Sequence, residues 1–287
     1  QSALNDATND SPEAPAVWGD MRHHIFYGAI YHWYVMCMNN QYRNFRPHRA
    51  LTVVQEFRLY LRRIALMPFL ALQRFFASRR VNRGGFPYHL VLLQLEHDSS
   101  FQNHSPFTNM QEFLEIVFEG FHKGAELHHH LVFKAHPLED DRARLNKKIK
   151  QLAKKYNITD RVHYVRGGKL AQLLDHAKSA ITVNSTAGQQ ALWRGLPLKT
   201  LGESIYSKPE LVSNQTVKQF FSSPTYPDHA AYCDLRQYLL ETSQFSGGFY
   251  SAKGRSQLLR QVVDHVLSKE DPYDSLKLKN SGNTATK

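Results

Sequence analysis

Apolar positions along the chain follow two different periods, and the change falls at Arg83-Gly84-Gly85-Phe86-Pro87. Before it, residues 21–80 read as two or three helices. Phe57, Leu61, Ile64 and Ala65 recur at helical spacing, and Pro68, which has no backbone donor, is expected to kink or divide the run. The glycine-proline cluster is the expected domain boundary. Beyond it, short apolar runs alternate with helical patterns. Tyr88 to Leu95 is a continuous apolar run of the kind buried in a parallel sheet. A helix is expected from about Ser105, with Pro106 at its first position, Phe113, Val117 and Phe121 on one face, and its end at Gly124. Strands at 131–135, 161–165, 180–183 and 198–201 alternate with helices at 141–156, 169–177 and 186–194. Helices near 228–242 and 254–268 follow. Five strands alternating with helices predict an α/β fold built on a doubly wound parallel sheet. The first 20 residues are polar and poorly patterned, and the chain from Glu270 onward is polar and expected to be loose.

Two strand ends carry candidate chemistry. In Val183-Asn184-Ser185-Thr186-Ala187-Gly188 a β-branched run stops at hydroxyl residues and a helical pattern begins. Backbone N–H groups at such a junction converge on one spot and suit phosphate. Asn184, Ser185 and Thr186 add polar groups there, and Gly188 is expected to let a ligand approach the backbone. The plain alternative is that Asn184 or Ser185 only caps the helix. Upstream, Leu131-Val132-Phe133-Lys134-Ala135-His136-Pro137 ends a strand on a lysine and a histidine. Ligands of open α/β sheets bind beyond the carboxyl ends of strands, so Lys134 and His136 are expected on the same rim as Ser185 and Thr186. The third such end, Gln94-Leu95-Glu96-His97-Asp98-Ser99, carries acids. Opposite a sugar nucleotide, a carboxylate there could stabilise an oxocarbenium-like transition state, act as nucleophile or deprotonate an acceptor. Asp98 is the first candidate and Glu96 the second; the alternative for Asp98 is a cap on the turn.

Other signatures narrow the classes. Neither GxxxxGK[ST] nor GxGxxG occurs, which argues against the common triphosphate and dinucleotide sites. His128-His129-His130 looks like a metal cluster, but successive residues of an extended segment face opposite sides, so no metal is assigned. Two cysteines, Cys37 and Cys233, in 287 residues make no disulfide framework and fit a reducing compartment. The longest apolar stretch, Ile64 to Leu72, contains Pro68 and is too short to span a bilayer, which needs roughly 20 residues. The net charge of +11 is unevenly placed: residues 21–83 hold 11 arginines, no lysine and one acid, Glu56, interleaved with aromatic residues. That mix suits an anionic partner, lipid headgroups or nucleic acid, or else solvates the outside of a helical region. Arginine's planar fork, which grips oxyanions bidentately, favours phosphate-rich partners.

Taken in order, Leu93-Gln94 with Asp98-Ser99, then His104-Ser105-Pro106-Phe107, Lys134-Ala135-His136-Pro137 and Val183-Asn184-Ser185-Thr186-Ala187-Gly188 with Gly195-Leu196-Pro197 resemble the bacterial capsule polysaccharide biosynthesis proteins, β-Kdo glycosyltransferases that use CMP-Kdo. The resemblance extends over roughly residues 20–270, and is strongest to the branch that places the first Kdo on a phosphatidylglycerol-type lipid. It implies a GT-B-like arrangement of two Rossmann-like domains, with the amino-terminal one largely missing here. Residues 1–85 are then its remnant with a connecting region, 86–270 the nucleotide-sugar-binding domain and 271–287 a polar tail. It further implies that His136 contacts the CMP phosphate with Ser185 and Thr186 beside it, that Asp98 is the carboxylate of a retaining transfer, and that Glu203 reaches the ribose. CMP-Kdo is the donor substrate and no cofactor is implied. The implied partners are an anionic lipid acceptor, the inner-membrane surface and other capsule biosynthesis and export proteins, with the enzyme cytoplasmic and peripheral at that membrane. The competing readings are a GT-B transferase using another nucleotide sugar such as a UDP-sugar, and a non-enzymatic nucleic-acid binder.

Overall fold

The computed structural model describes residues 21–38, 51–139, 143–247, 252–269 and 271–274. The polar stretches expected at 1–20 and over most of the tail lie outside them. In chain order the elements are α1 (Met21–Met38), α2 (Val53–Arg83), β1 (Tyr88–Leu92), α3 (Ser99–His104), α4 (Met110–Gly124), β2 (His130–Lys134), α5 (Leu145–Lys155), a 3-10 turn (Thr159–Arg161), β3 (Val162–Val165), α6 (Leu170–Asp175), β4 (Ser179–Thr182), α7 (Gly188–Trp193), β5 (Leu198–Thr200), α8 (Val217–Ser222), α9 (His229–Thr242) and α10 (Ala252–Leu267). The described residues form two compact units, 73–238 and 21–72 with 239–274.

The first unit is built on a five-stranded parallel sheet in the order β3-β2-β1-β4-β5. The central strand β1 pairs in register on both sides, Leu90 opposite Val132 and opposite Ala180. Its residues are apolar on both faces because both faces are covered. On one side Val91, Leu131, Phe133 and Ile181 pack against Phe113, Val117, Phe118 and Phe121 of α4, Ile149 of α5 and Phe220 and Phe221 of α8. On the other, Leu90, Leu92, Val132 and Ala180 meet Leu173 and Leu174 of α6, Ala191 and Leu192 of α7, and Tyr206 and Tyr232. The chain leaves β1 toward β2 and β3, then returns to its other side for β4 and β5. The carboxyl ends of β1 and β4 therefore flank the point where the winding reverses, the usual place for a ligand in such sheets.

Three local expectations are corrected. Pro68 neither divides α2 nor ends it; the helix runs unbroken from Val53 to Arg83. Pro68 is exposed, so the carbonyl deprived of its donor can turn to water. The helix expected from Ser105 begins at Met110, because Asn109 caps it by accepting from the N–H groups of Gln111 (2.9 Å) and Glu112 (3.3 Å). The span before it instead forms α3, a helix of six residues. Helix α8, not expected from the apolar pattern, opens on a reciprocal capping box between Thr216 and Gln219.

In the second unit α1 and the first part of α2 approach closely. A Cβ on Gly28 would stand 2.8 Å from the Tyr60 ring. Ala29, His32 and Tyr60 are buried, while Phe26, Tyr27, Tyr31, Trp33 and Tyr34 of α1 and Leu61, Phe69 and Leu72 of α2 are exposed. Arg58 and Arg62 are exposed as well. The outer surface thus carries large apolar rings together with arginines. No helix among the described residues is long and apolar enough to cross a membrane.

Candidate functional site

All five strands point their carboxyl ends at one rim, and three of the exits hold the residues singled out from the sequence. After β1 the chain reaches Asp98, which caps α3 by accepting from the Ser100 N–H at 3.4 Å. After β2 it reaches His136. The two meet electrostatically: burial pushes the His136 imidazole down to about 4, the Asp98 charge works against that shift, and Lys134 and His97 add to it. His136 Nδ1 accepts from the Leu138 N–H at 3.1 Å. The neutral ring therefore carries its proton on Nε2, where it is a donor. Asp98, His97, Lys134 and His136 form one cluster across adjacent strands. Lys134 is buried, and its Nζ donates to the Ala135 carbonyl at 3.2 Å.

The residues after β4 take other parts. Asn184 is buried and its amide is fully engaged. Gln94 Nε2 donates to Asn184 Oδ1 at 2.8 Å, and Asn184 Nδ2 donates to the carbonyls of Ser100 (2.7 Å) and His104 (3.1 Å). Its own N–H donates to Gln94 Oε1 at 2.9 Å. The expected phosphate-facing side chain is instead a bracket inside the rim. Ser185 is also buried; its Oγ accepts from the Ala187 N–H at 3.2 Å and its carbonyl accepts from Tyr206. Thr186 is exposed beside it. Gly188 does not serve a ligand's close approach: a Cβ there would lie 2.5 Å from the Tyr206 hydroxyl, so the missing side chain makes room for tyrosine. Because β1 stands between β2 and β4, two strand spacings, about 10 Å, separate the His136 and Thr186 exits.

Glu96 turns away from the cluster and accepts the Met110 N–H at 2.9 Å, satisfying the first turn of α4. Glu203 is exposed, and its backbone N–H donates to the His104 carbonyl at 2.8 Å. Gly202 beside it is packed so closely that a Cβ would fall 2.8 Å from that same oxygen. Sequence reasoning gave no role to Gln94, Tyr206 or the exit of β3. There Arg166 leads into Gly167 and Gly168, both with positive φ (97° and 74°). Consecutive glycines directly after a strand were the available signal for that turn. An open polar depression of about 500 Å³, lined by residues including Lys123, Gln215, Lys218 and Ser223, lies where α4 ends, toward the amino ends of the strands and away from His136.

The histidine triplet belongs to that opposite edge. His128 and His129 sit in a turn before β2, so strand alternation does not separate them. With Glu126 they offer ligand atoms within 4.8 Å of one another. Both ring nitrogens of His129 are already engaged, however. Lys178 Nζ lies 3.2 Å from His129 Nε2, His129 Nδ1 lies 3.1 Å from His89 Nε2, and His89 Nδ1 lies 2.8 Å from Ser179 Oγ. An ammonium only donates, so the chain of bonds runs in one direction, from Lys178 through both rings to Ser179. His89 is buried among Phe121, Phe221, His129 and Ser179. Burial pushes it down to about 3, helped by His129 and Lys178. Nearby His163, 2.9 Å from His130 and stacked on Phe86, is pushed down to about 4 by burial, then by His130 and Arg80.

These depressed imidazoles fix the sign of the acid response. From their ordinary 6.5 down to 3–4 the unfolded chain binds protons that the folded chain refuses. Their contribution is therefore complete above pH 6.5 and is lost as pH falls through that window. The melting temperature is expected to drop steadily between pH 7 and pH 4.5. His89→Leu should lower it at pH 7, since Ser179 and His129 lose a partner, at a cost of about 1–3 kcal/mol. The same variant should flatten the slope with pH; an unchanged slope would assign the acid response elsewhere.

Comparison with known proteins gives the following. Residues 17–250 match the family model described as "Capsule polysaccharide biosynthesis protein". The chain is similar to the capsule polysaccharide export protein KpsS of Escherichia coli, 29% identical over 222 residues, covering 76% of this chain and 57% of that one. It is similar also to the capsule polysaccharide modification protein LipB of Neisseria meningitidis, 31% identical over 176 residues, covering 61% and 42%. The chain thus spans about half the length of the curated relatives it matches. Among solved structures, a beta Kdo 2,7 transferase, KpsC of Thermosulfurimonas dismutans, aligns at 18% identity with a TM-score of 0.33, covering 58% of this chain and 61% of that one. WaaG, a glycosyltransferase involved in lipopolysaccharide biosynthesis, aligns at 15% identity with a TM-score of 0.37, covering 68% and 51%.

Proposed function

Because this chain belongs to the capsule polysaccharide biosynthesis protein family, we propose that it is a glycosyltransferase whose rim around His136 receives CMP-Kdo, for transfer with retention to a phosphatidylglycerol-type lipid or glycolipid. The observation that carries this reading is that the adjacent parallel strands β1 and β2 deliver Asp98 and His136 to the same rim. The imidazole presents a proton on Nε2 to a phosphate oxygen, and bound phosphate raises its affinity for a second proton. Asp98 supplies the carboxylate that meets positive charge developing at the anomeric carbon. Thr186, about 10 Å along the rim, is within the span of a nucleotide whose phosphate sits at His136. In this reading Glu203, exposed on the same rim, reaches for the ribose. In this reading the parallel sheet is the nucleotide-holding half of a GT-B pair, and acceptor contacts come from a second Rossmann-like domain.

The exposed rings of α1 and α2, interspersed with arginines, support a cytoplasmic enzyme resting on the anionic inner leaflet. Aromatic rings favour the headgroup boundary, and each arginine near such a surface contributes about 1 kcal/mol. Calorimetric titration with CMP, and with UMP, UDP and GMP as controls, tests the donor assignment. Selective CMP binding is expected. Preference for UDP would keep the fold and discard Kdo, and no nucleotide binding at all would remove the phosphate role from His136.

A further inference from the structure

Asn184 and Gln94 are both almost wholly buried, each 4% exposed, yet they stand at the tips of β1 and β4, where the winding of the sheet reverses. Between them they make a closed set of bonds. The Gln94 amide both donates to and accepts from Asn184, and the two Asn184 Nδ2 protons go to the first and last turns of α3. A third segment joins the same anchor, since the Glu203 N–H donates to the His104 carbonyl and Gly202 leaves no room for a side chain beside it. Helix α3 has six residues, too few to persist by its own hydrogen bonds. Phe101 is its one buried apolar anchor. Its other fixings are Asp98 at its start, Asn184 across its length and the Glu203 N–H at its end.

We infer that Asn184 is a positioning residue: by holding α3 across the gap between β1 and β4, with Gln94 orienting its amide, it keeps the Asp98 carboxylate beside His136. Three common replacements fail the demand. Aspartate supplies no donor for the two carbonyls. Leucine leaves those carbonyls and the Gln94 amide buried without partners, a costly arrangement. Serine has one donor and cannot reach both turns. Burial lowers His136 most, and the charged groups that act on it are Asp98, which raises it, and Lys134 and His97, which lower it. Lys134 lies in β2 and does not depend on α3, whereas Asp98 does. Release of α3 therefore removes the one favourable charge and leaves the unfavourable lysine. This inference deepens the donor reading above and rests on it for its meaning, but not for its test.

The test uses Asn184→Ser in the full chain, with two readouts. Amide exchange is expected to speed up by about tenfold or more over residues 99–104 while β1 amides stay protected. The His136 ring titration, followed by NMR, is expected to move down by about half a pH unit or more as the Asp98 charge is withdrawn. Asp98→Asn should produce the same downward move with α3 exchange unchanged, since asparagine caps as well as aspartate. The double variant should move His136 no further. If Asn184→Ser does not fold cooperatively, Gln94→Met carries the same test. It withdraws both Gln94 bonds to Asn184 without adding a charge to the rim, so both readouts should shift the same way by less. Faster α3 exchange with an unmoved His136 would overturn the inference and leave Asn184 a purely structural residue. Unchanged α3 exchange would overturn it too. A CMP titration of the unsubstituted chain is scored separately, so failure of nucleotide binding strikes the donor reading and not the bracket.

Discussion

Asp98→Asn is expected to cut the proposed transfer by roughly 10²–10⁴-fold, the usual contribution of a positioned acid–base or nucleophilic group. The substitution is unusually clean at this position. Asp98 begins α3 with extended backbone angles (φ −73°, ψ 135°), and its side chain accepts the Ser100 N–H. Asparagine accepts that bond equally well, so the helix, its bracket through Asn184 and the underlying sheet should all persist. What disappears is the negative charge. CMP affinity should fall little, because a carboxylate repels phosphate if it acts on it at all. Measured with donor and lipid acceptor together, the result should be binding without turnover. Normal turnover in this variant would end the catalytic role of Asp98, and Glu96 could not inherit it in its present position, since it is occupied at the start of α4.

The second large effect is expected at His136. Replacement by alanine removes the Nε2 donor and should weaken CMP binding by about 1.5–3 kcal/mol, the range for a hydrogen bond to a charged group, equivalent to roughly 10- to 150-fold in the dissociation constant. Part of any loss could come from the Leu138 N–H, which His136 Nδ1 now accepts. His136→Asn separates the two, because the shorter amide oxygen can meet Leu138 while nothing replaces Nε2. Both variants should lose CMP affinity to a similar degree, and titration calorimetry on each decides it. Unchanged affinity in both would sink the phosphate assignment.

The parallel sheet and its rim were legible in the sequence because they rest on local signals. Apolar runs such as Tyr88–Leu92 and Leu131–Phe133 are long enough to register against the helical periods between them, and the parallel alternation then puts every carboxyl end on one side. The placement of His136 and Asp98 on that rim needed nothing more. Asn184 and Gly188 were misread for a physical reason. A buried asparagine at a strand end satisfies the same pattern whether it faces a ligand or a backbone, and its partners, Gln94, Ser100 and His104, are 80–90 residues away along the chain. Gly188 likewise answers to Tyr206, which no spacing rule connects to it. Helix α3 was invisible because six residues cannot display a helical period. Helix α8 was not: its Thr216–Gln219 capping box was present and unused.

The hydrogen-bonded line from Lys178 to Ser179 ends at the amino edge of the sheet, a full strand length from the cluster at His136. His89 and His163 are held low at that edge and His136 at the other, so tolerance of acid draws on both ends of the same strands. A variant altered at His89 or His129 changes one share of it while the imidazole at the rim keeps its own titration.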